Sequence, residues 1–220
     1  MAVVKSSDQG TRPYRSAVRE EGARRTRHAI VVAATRLFEQ QGYGPTSLAQ
    51  VATAAGVSRP TVTTVFGSKP ALLSAVLDEA LAGDDEPVPV AERPWFRPVW
   101  DADSPEGVVA AYAEVCTVIG RRAGRLFEVV RRASDAGPEV AELWERTQRN
   151  RRAGAQMVVD QVRKVAGSRS RRASDGRTVD AIWFFNDPVH YDTLVHECGW
   201  REKDFTTWLA AMMTDAVRRD

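Results

Sequence analysis

The sequence is poor in the residues on which metal binding and catalysis usually depend. Only two of the 220 residues are cysteines, Cys116 and Cys198, and only three are histidines. The cysteines have no metal-ligand spacing, and their scarcity is typical of a protein in a reducing compartment. His190 and His196 stand six positions apart, whereas paired ligands on one helix face stand three or four apart. We therefore expect no metal, no cofactor and no catalytic residues.

Signatures of membrane proteins and nucleotide-binding enzymes are also missing. No apolar run approaches the roughly 20 residues of a membrane-spanning helix, and residues 1–16 hold no apolar stretch long enough for a signal peptide. The chain has no GxSxG elbow, no Walker loop and no dinucleotide fingerprint. A helical enzyme remains an alternative class, but these absences favour a cytoplasmic protein that is not an enzyme.

Alternating apolar and polar residues, which are typical of strands, are scarce as well. Apolar residues instead recur at helical spacing, for example at positions 30, 33, 34, 37 and 38. Five prolines interrupt this pattern in residues 83–105, where Trp95, Phe96 and Trp100 indicate that the segment packs against the core. The pattern predicts an all-α protein of roughly eight to ten helices.

Charge is distributed unevenly along the chain. Residues 1–70 hold ten Lys and Arg against four Asp and Glu, whereas the remaining 150 residues hold 21 against 25. Such an asymmetry is typical of a protein whose N-terminal part meets a polyanion, although coding bias is an alternative reason for the many arginines. We expect residues 1–23 to be a disordered basic arm. Its Arg12, Arg15 and Arg19 either stay in solvent or enter a DNA minor groove.

The stretch Thr61–Val65, TVTTV, consists of β-branched residues, which are poor helix formers. As a strand it would be solitary, because helical patterns flank it on both sides. As a helix it places Val62, Val65 and Phe66 on one face and its threonines elsewhere. The preceding helix ends near Ala55, and a tight glycine turn joins the two. This arrangement predicts a helix-turn-helix, whose second helix enters the DNA major groove.

Threonine suits such a groove-facing helix for chemical reasons. Its hydroxyl bonds to bases or phosphates, and its methyl group can contact the methyl group of thymine. The alternative is an ordinary bundle helix with a polar, solvated face. Resemblance to a known family decides between them. The segment Thr46–Leu73, TSLAQVATAAGVSRPTVTTVFGSKPALL, resembles the DNA-binding signature of the TetR (tetracycline-repressor-like) family of transcriptional regulators.

The resemblance extends beyond this segment, with three departures inside it. The upstream AATRLFEQQGYGPTS also matches the family, and NDPVHYDTLVHECGWREKDFTTWLAAMM resembles the last two helices of many members. The family usually has an aromatic residue in place of Thr63, often His or Tyr in place of Val65, and frequently Gly in place of Pro60. These departures put the phosphate contact of position 63 in question and predict an unusual base preference.

The resemblance implies a DNA-binding domain over residues 24–70 and an effector-binding and dimerisation domain over residues 71–220. Lys69 occupies the family's phosphate-contacting position, while Arg59 and Thr64 are the expected base readers. The full expected DNA-contacting set is Arg25, Arg27, Thr46, Ser47, Arg59, Pro60, Thr61, Thr63, Thr64 and Lys69.

The same resemblance implies a homodimer with an effector pocket in each C-terminal domain. It predicts a repressor that a small molecule releases from a palindromic operator in double-stranded DNA; the alternative is an architectural DNA binder without an effector. Expected pocket residues are Tyr112, Cys116, Phe127, Arg131, Trp144, Met157, Trp183 and Phe184. The alternative for Arg131 is a solvated charge, and the alternative for the others is a plain core. Expected interface residues, with an intrachain core as the alternative, are Leu194, Val195, Phe205, Trp208, Leu209, Met212 and Met213.

Overall fold

The computed structural model describes residues 12–167 and 176–218, and every regular element among them is a helix. The all-α fold class predicted from the sequence is therefore confirmed. The expectation of a disordered basic arm lies outside the described residues for residues 1–11.

Four helices make up the N-terminal part of the fold, and a second series follows a break after residue 82. The first four are α1 (Arg12–Gln41), α2 (Leu48–Ala55), α3 (Arg59–Phe66) and α4 (Lys69–Ala82). After a 3₁₀ turn (Val90–Glu92) come α5 (Arg97–Asp101), α6 (Pro105–Arg132), α7 (Pro138–Val165), α8 (Gly176–Phe185), α9 (Val189–Tyr191), a π-helical segment (Asp192–Glu197) and α10 (Glu202–Arg218).

Helix α1 begins well before the point that the sequence predicted. It starts at Arg12, so the expectation of a disordered arm is wrong for residues 12–23. A minor-groove contact by Arg12, Arg15 and Arg19 stays a prediction.

Serine caps start the three short helices of the N-terminal part. The hydroxyl groups of Ser47, Ser58 and Ser68 each accept a hydrogen bond from a backbone N–H in the first turn of α2, α3 and α4. Such a cap stabilises a helix by about 1 kcal/mol. Gly56 ends α2 in the left-handed conformation, with φ of 68°, which glycine adopts without steric cost. These residues fix the turn between α2 and α3.

Two hydrophobic clusters hold the helices together. The first joins α1–α4 to α6 and to the start of α7, with Phe38, Leu72 and Phe127 fully buried in it. The second joins α6, α7, α8 and α10, around residues such as Ile182 and Leu209. Burial of one such side chain contributes about 1.5–3 kcal/mol. Because α4 and α6 share the first cluster, the N-terminal helices are packed directly against the C-terminal part.

The proline-rich break packs against the core, as its aromatic residues predicted, and Arg93 organises it. The Arg93 side chain is only 4% exposed and forms an ion pair with Asp84 at 2.6 Å. It also donates to the carbonyl oxygens of Glu86 and Val88 at 2.8 and 3.0 Å. One buried guanidinium group thus fixes the course of residues 84–88 beside the core, next to the short helix α5.

Candidate DNA interface and effector cavity

Helix α3 buries one side and exposes the residues expected to read DNA. Val62 is fully buried and Phe66 is nearly so, because both pack against the flanking helices. Arg59, Thr63 and Thr64 are exposed. The helix therefore has the polar, outward-facing surface that the sequence predicts. Pro60, next to Arg59, is exposed on the same helix.

The expectation that Val65 shares the buried face is wrong. Its exposed fraction is 37%, since the neighbouring helices cover only the strip around Val62 and Phe66. Thr61, in contrast, is half-buried, and its hydroxyl lies 2.8 Å from that of the Ser58 cap. Val65 thus adds an apolar group to the outward face, where a methyl-bearing base would be a suitable contact.

The two arginines expected at the start of the matched region differ in their surroundings. Arg25 is exposed, whereas the guanidinium carbon of Arg27 lies 4.8 Å from the centre of the Phe66 ring. Such a cation–π contact stabilises the pair by about 0.5–1 kcal/mol at an exposed site. Arg27 therefore links α1 to the end of α3 and remains close to the reading surface.

Ser47 and Thr46, both in the expected DNA-contacting set, have different surroundings. Ser47 is exposed and forms a capping box with Gln50, in which each side chain bonds to the other residue's backbone N–H. Thr46 is only 1% exposed, and its hydroxyl donates to the carbonyl of Gly42 at 2.7 Å. The hydroxyl contact to phosphate expected of Thr46 is therefore wrong, because the group is buried in the turn between α1 and α2.

Lys69 also has an intramolecular role that the sequence did not reveal. Its ammonium group donates to the carbonyl oxygens of Tyr43, Gly44 and Thr46 at 2.9, 3.3 and 2.9 Å. It lies 4.0 Å from the centre of the Tyr43 ring, and burial lowers the pKa of its amine. These carbonyl contacts offset the unfavourable position of a cation at a helix start. All three N–H groups are used within the chain, so a phosphate contact by Lys69 stays a prediction.

A cavity of about 790 Å³ lies between α4, residues 84–91, α6 and α7. Its size falls within the range of small-molecule sites, which are mostly apolar with a few polar groups. Helix α4 supplies one wall through Ala71, Ala75 and Asp78. The helix that begins at Lys69 beside the DNA-reading unit therefore also borders the cavity.

A buried polar network lies at the inner end of this cavity. Asn186 donates to the hydroxyl of Tyr112 at 2.9 Å and accepts a hydrogen bond from Arg151 at 3.0 Å. Arg151 also forms an ion pair with Asp187 at 3.0 Å. Burial raises the pKa of the neighbouring Cys116 thiol to about 12 and also raises the pKa of Tyr112. Both groups stay protonated at neutral pH, so neither adds negative charge.

The predicted pocket residues divide into two groups of equal size. Tyr112, Cys116, Phe127 and Met157 line the cavity. The other four residues, Arg131, Trp144, Trp183 and Phe184, do not line this cavity. Arg131 is paired on the surface with Glu128, and Phe184 is 61% exposed. Trp144 and Trp183 pack against the two hydrophobic clusters.

Sequence reasoning missed the polar half of the cavity. Thr147 and Arg151 lie on α7, and Asn186 directly follows α8. In the sequence all three look like plain surface or core. A buried arginine on α7 has no local signal, since nine arginines surround it between residues 121 and 163. Only the packing of α7 on α8 distinguishes Arg151 from these neighbours.

The structure divides the predicted dimer residues in the same manner. Phe205, Leu209 and Met213 are 2%, 0% and 0% exposed, so the expectation that they contact a partner chain is wrong. They form the intrachain core of α10 against α6 and α8. The remaining residues, Leu194, Val195, Trp208 and Met212, are half-buried.

The described residues hold neither a cluster suited to a metal ion nor a membrane-spanning helix. Within residues 12–167 and 176–218, no group of three or more His, Cys, Asp or Glu side chains is arranged to hold a metal ion. None of the helices in the described part of the chain is both long and apolar enough to cross a membrane.

The fold and the exposed face of α3 define a helix-turn-helix DNA-binding protein with a helical C-terminal domain. Residues 30–76 match the family model for bacterial regulatory proteins of the tetR family. The resemblance drawn from the sequence is thereby confirmed for this region, which spans the helix-turn-helix. Comparison with the curated proteins gave no match.

Solved structures share the fold over nearly the whole chain. A candidate TetR-family regulator from Rhodococcus sp. is 14% identical, with a TM-score of 0.65 over 88% of this chain and 98% of its own. A TetR-family member from Streptomyces coelicolor A3 is 21% identical, with a TM-score of 0.56 over 85% and 97%. At these identities the likeness shows a common fold.

Proposed function

We propose that the protein is a homodimeric repressor that acts in the cytoplasm and leaves a palindromic operator when a small molecule binds in its C-terminal domain. The observation that carries the proposal is the position of α4. This helix begins at Lys69 beside the helix-turn-helix, and its middle turns border the cavity of about 790 Å³. A ligand that prefers one position of α4 would therefore bias the position of α3.

The DNA-binding part of the proposal assigns different roles to the exposed residues of α3. Arg59 and Thr64 face outward and carry donors that suit base edges, and arginine paired with guanine is the commonest specific contact. Thr63 donates its hydroxyl to the carbonyl of Arg59 at 3.3 Å, which leaves its oxygen able to accept rather than donate. Thr63 therefore contributes little to phosphate binding. Arg25, Arg27 and Ser47 flank α3 and would contact the phosphate backbone.

The dimer part of the proposal shifts the predicted interface to a neighbouring aromatic surface that still includes Trp208. Helices α8 and α10 pack together. Phe184 and Phe185 on α8, Trp208 on α10 and Trp200 just before α10 form a chain of ring contacts. Phe184 and Trp200 are 61% and 38% exposed. A second copy of this chain packed on this surface would bury these rings. The resulting contact, with two helices from each chain, is similar to the two-plus-two helix interface of the family. Two-fold symmetry then places two α3 helices about one DNA turn apart.

The release part of the proposal is a shift in population. An effector weakens operator binding only by its preference for the conformation whose α3 helices do not fit the DNA. A tenfold loss of operator affinity requires a preference of about 1.4 kcal/mol. A large cavity bordered by α4 supports this mechanism over an architectural DNA binder without an effector.

The test is a selection of random duplexes with the purified protein, followed by affinity measurements over a range of salt concentrations. We expect a palindromic sequence and a steep fall of affinity with salt, as phosphate contacts release counterions. Arg59→Ala should cost about 1–3 kcal/mol and relax the preference at one base. Thr64→Ala should also change base preference. Thr207→Ala, the same change on the exposed surface of α10, should alter neither the affinity for DNA nor the base preference. Enrichment of no sequence would overturn the proposal.

A further inference from the structure

We propose that the cavity takes a largely apolar molecule that carries no negative charge and whose buried end carries an oxygen that accepts a hydrogen bond, as in a ketone, ester or lactone. This inference names the ligand class of the effector site and rests on the proposed function. Three features of the cavity carry it: its apolar walls, one unused donor at its inner end and the charge of its mouth.

The walls of the cavity suit an apolar ligand skeleton. Phe96, Ile119 and Phe127 line the interior, and Val88 and Val90 contribute from the segment that Arg93 fixes. A volume of about 790 Å³ is sufficient for a molecule with several fused rings or a branched chain. Apolar contact with these walls would supply most of the binding free energy.

Arg151 offers the inner end a hydrogen-bond donor that no residue in the described part of the chain uses. Its side chain is only 10% exposed, and its two terminal nitrogens bond to Gln148, Asp187, Trp183 and Asn186. Its Nε–H has no acceptor among the described residues.

The other polar groups at the inner end are already satisfied. Asn186 donates to Tyr112 and to the carbonyl of Arg151, and Thr147 donates to the carbonyl of Leu143 at 2.7 Å. A buried donor without an acceptor is unfavourable. A ligand oxygen beside Arg151 would remove that cost. A ligand donor would find no free acceptor in this network, since the unpartnered acceptor of the lining, Oε2 of Glu79, belongs to α4.

The charges around the cavity disfavour an anion. At the inner end, Asp187 lies 3.0 Å from Arg151 and balances its charge. Asp84 at the mouth is balanced by Arg93. The remaining charged side chains of the lining are Arg27 and Arg146 against Asp78, Glu79, Asp85 and Glu86. A carboxylate ligand would therefore approach an excess of negative charge and find no uncompensated cation inside.

Three fluorescent naphthalene probes of similar skeleton separate these features. Prodan carries a ketone and no charge, N-phenyl-1-naphthylamine has no oxygen, and 8-anilinonaphthalene-1-sulfonate adds a sulfonate to the second skeleton. We expect Prodan to bind to the full-length protein roughly tenfold more tightly than N-phenyl-1-naphthylamine. The reason is that one hydrogen bond to a charged donor strengthens binding by about this factor. The sulfonate should bind most weakly of the three.

Variants locate the binding and identify the donor. Arg151→Lys keeps the charge beside Asp187 but lacks an Nε–H, so it should remove the advantage of Prodan and leave N-phenyl-1-naphthylamine unchanged. Asp85→Asn with Glu86→Gln should strengthen binding of the sulfonate alone. Gly154→Leu should weaken all three probes, because a Cβ at this position faces the Tyr112 hydroxyl at 3.9 Å. Circular dichroism confirms that each variant is folded.

The outcomes separate this inference from the proposed function. Equal binding of Prodan and N-phenyl-1-naphthylamine in the wild-type protein, or tightest binding of the sulfonate, would overturn the ligand class and leave an effector cavity intact. Probe binding that Gly154→Leu does not change would overturn the cavity as the site. Operator binding is measured without any probe, so a failure there contradicts the proposed function alone.

Discussion

The ammonium group of Lys69 donates a hydrogen bond to the carbonyl of Thr46, 23 residues earlier, at 2.9 Å. This contact joins the start of α4 to the turn between α1 and α2. It also exposes an ambiguity in any experiment on Lys69, because a lysine that binds phosphate and a lysine that holds a turn both weaken DNA binding when they are removed.

Stability measurements without DNA resolve this ambiguity. Lys69→Ala leaves the carbonyls of Tyr43 and Thr46 without their donor, so we expect the free energy of unfolding to fall by about 1–3 kcal/mol. Urea unfolding followed by circular dichroism measures the change. Arg59→Ala, an exposed control on α3, should keep wild-type stability. Unchanged stability of Lys69→Ala would show that its carbonyl contacts contribute nothing.

Two glycines inside long helices should respond in opposite directions to the same substitution. A Cβ at Gly154 would meet only the Tyr112 hydroxyl at 3.9 Å, whereas a Cβ at Gly120 would lie 2.4 Å from the Cβ of Tyr191. Gly154→Ala should therefore stabilise the protein by about 0.5–1 kcal/mol. Gly120→Ala should destabilise it by about 1–3 kcal/mol through overpacking. Thermal unfolding compares the two, and a change of equal sign would contradict the described packing of α6.

The aromatic surface of α8 and α10 can be tested through oligomeric state. Phe184→Glu places a charge at a site that is 61% exposed in one chain, so the monomer should stay folded while the dimer dissociates. Light scattering after size-exclusion chromatography measures the mass, and operator affinity should fall with it. Leu209→Glu, in the fully buried position that the sequence assigned to the interface, should instead unfold the chain. A dimeric Phe184→Glu protein would place the interface elsewhere.

Glu39 gives a prediction of pH dependence. Burial raises the pKa of its carboxyl group above the usual value of about 4.5, so the folded state holds this proton more tightly than the unfolded state does. The contribution of this bound proton to the stability of the folded state is complete below pH 4.5. It is lost as pH rises through the raised folded-state pKa. Glu39→Gln should be more stable than wild type at neutral pH, and the difference should vanish in acid. Glu114→Gln, at an exposed position on α6, is the control; a pH-independent difference would contradict the assignment.

The sequence alone determined the helical architecture and the location of the DNA-reading helix. Periodic apolar residues, serine caps and the glycine turn act within a few residues of each other, so their effect is visible in the printed order. The TVTTV stretch was correctly assigned to a helix on the ground that a lone strand has no pairing partner. Charge bias and the family resemblance then pointed to DNA.

Tertiary structure decided the functions of individual side chains. Lys69 and Thr46 look like phosphate ligands in the sequence, but the turn that they share uses their hydrogen bonds. Phe205 and Leu209 form an amphipathic stripe, and periodicity cannot tell whether such a stripe faces its own chain or a partner. Arg151 became distinct only when α7 packed on α8 and buried its guanidinium group. Local signals fix backbone conformation, whereas burial and partners depend on contacts between residues far apart in the chain.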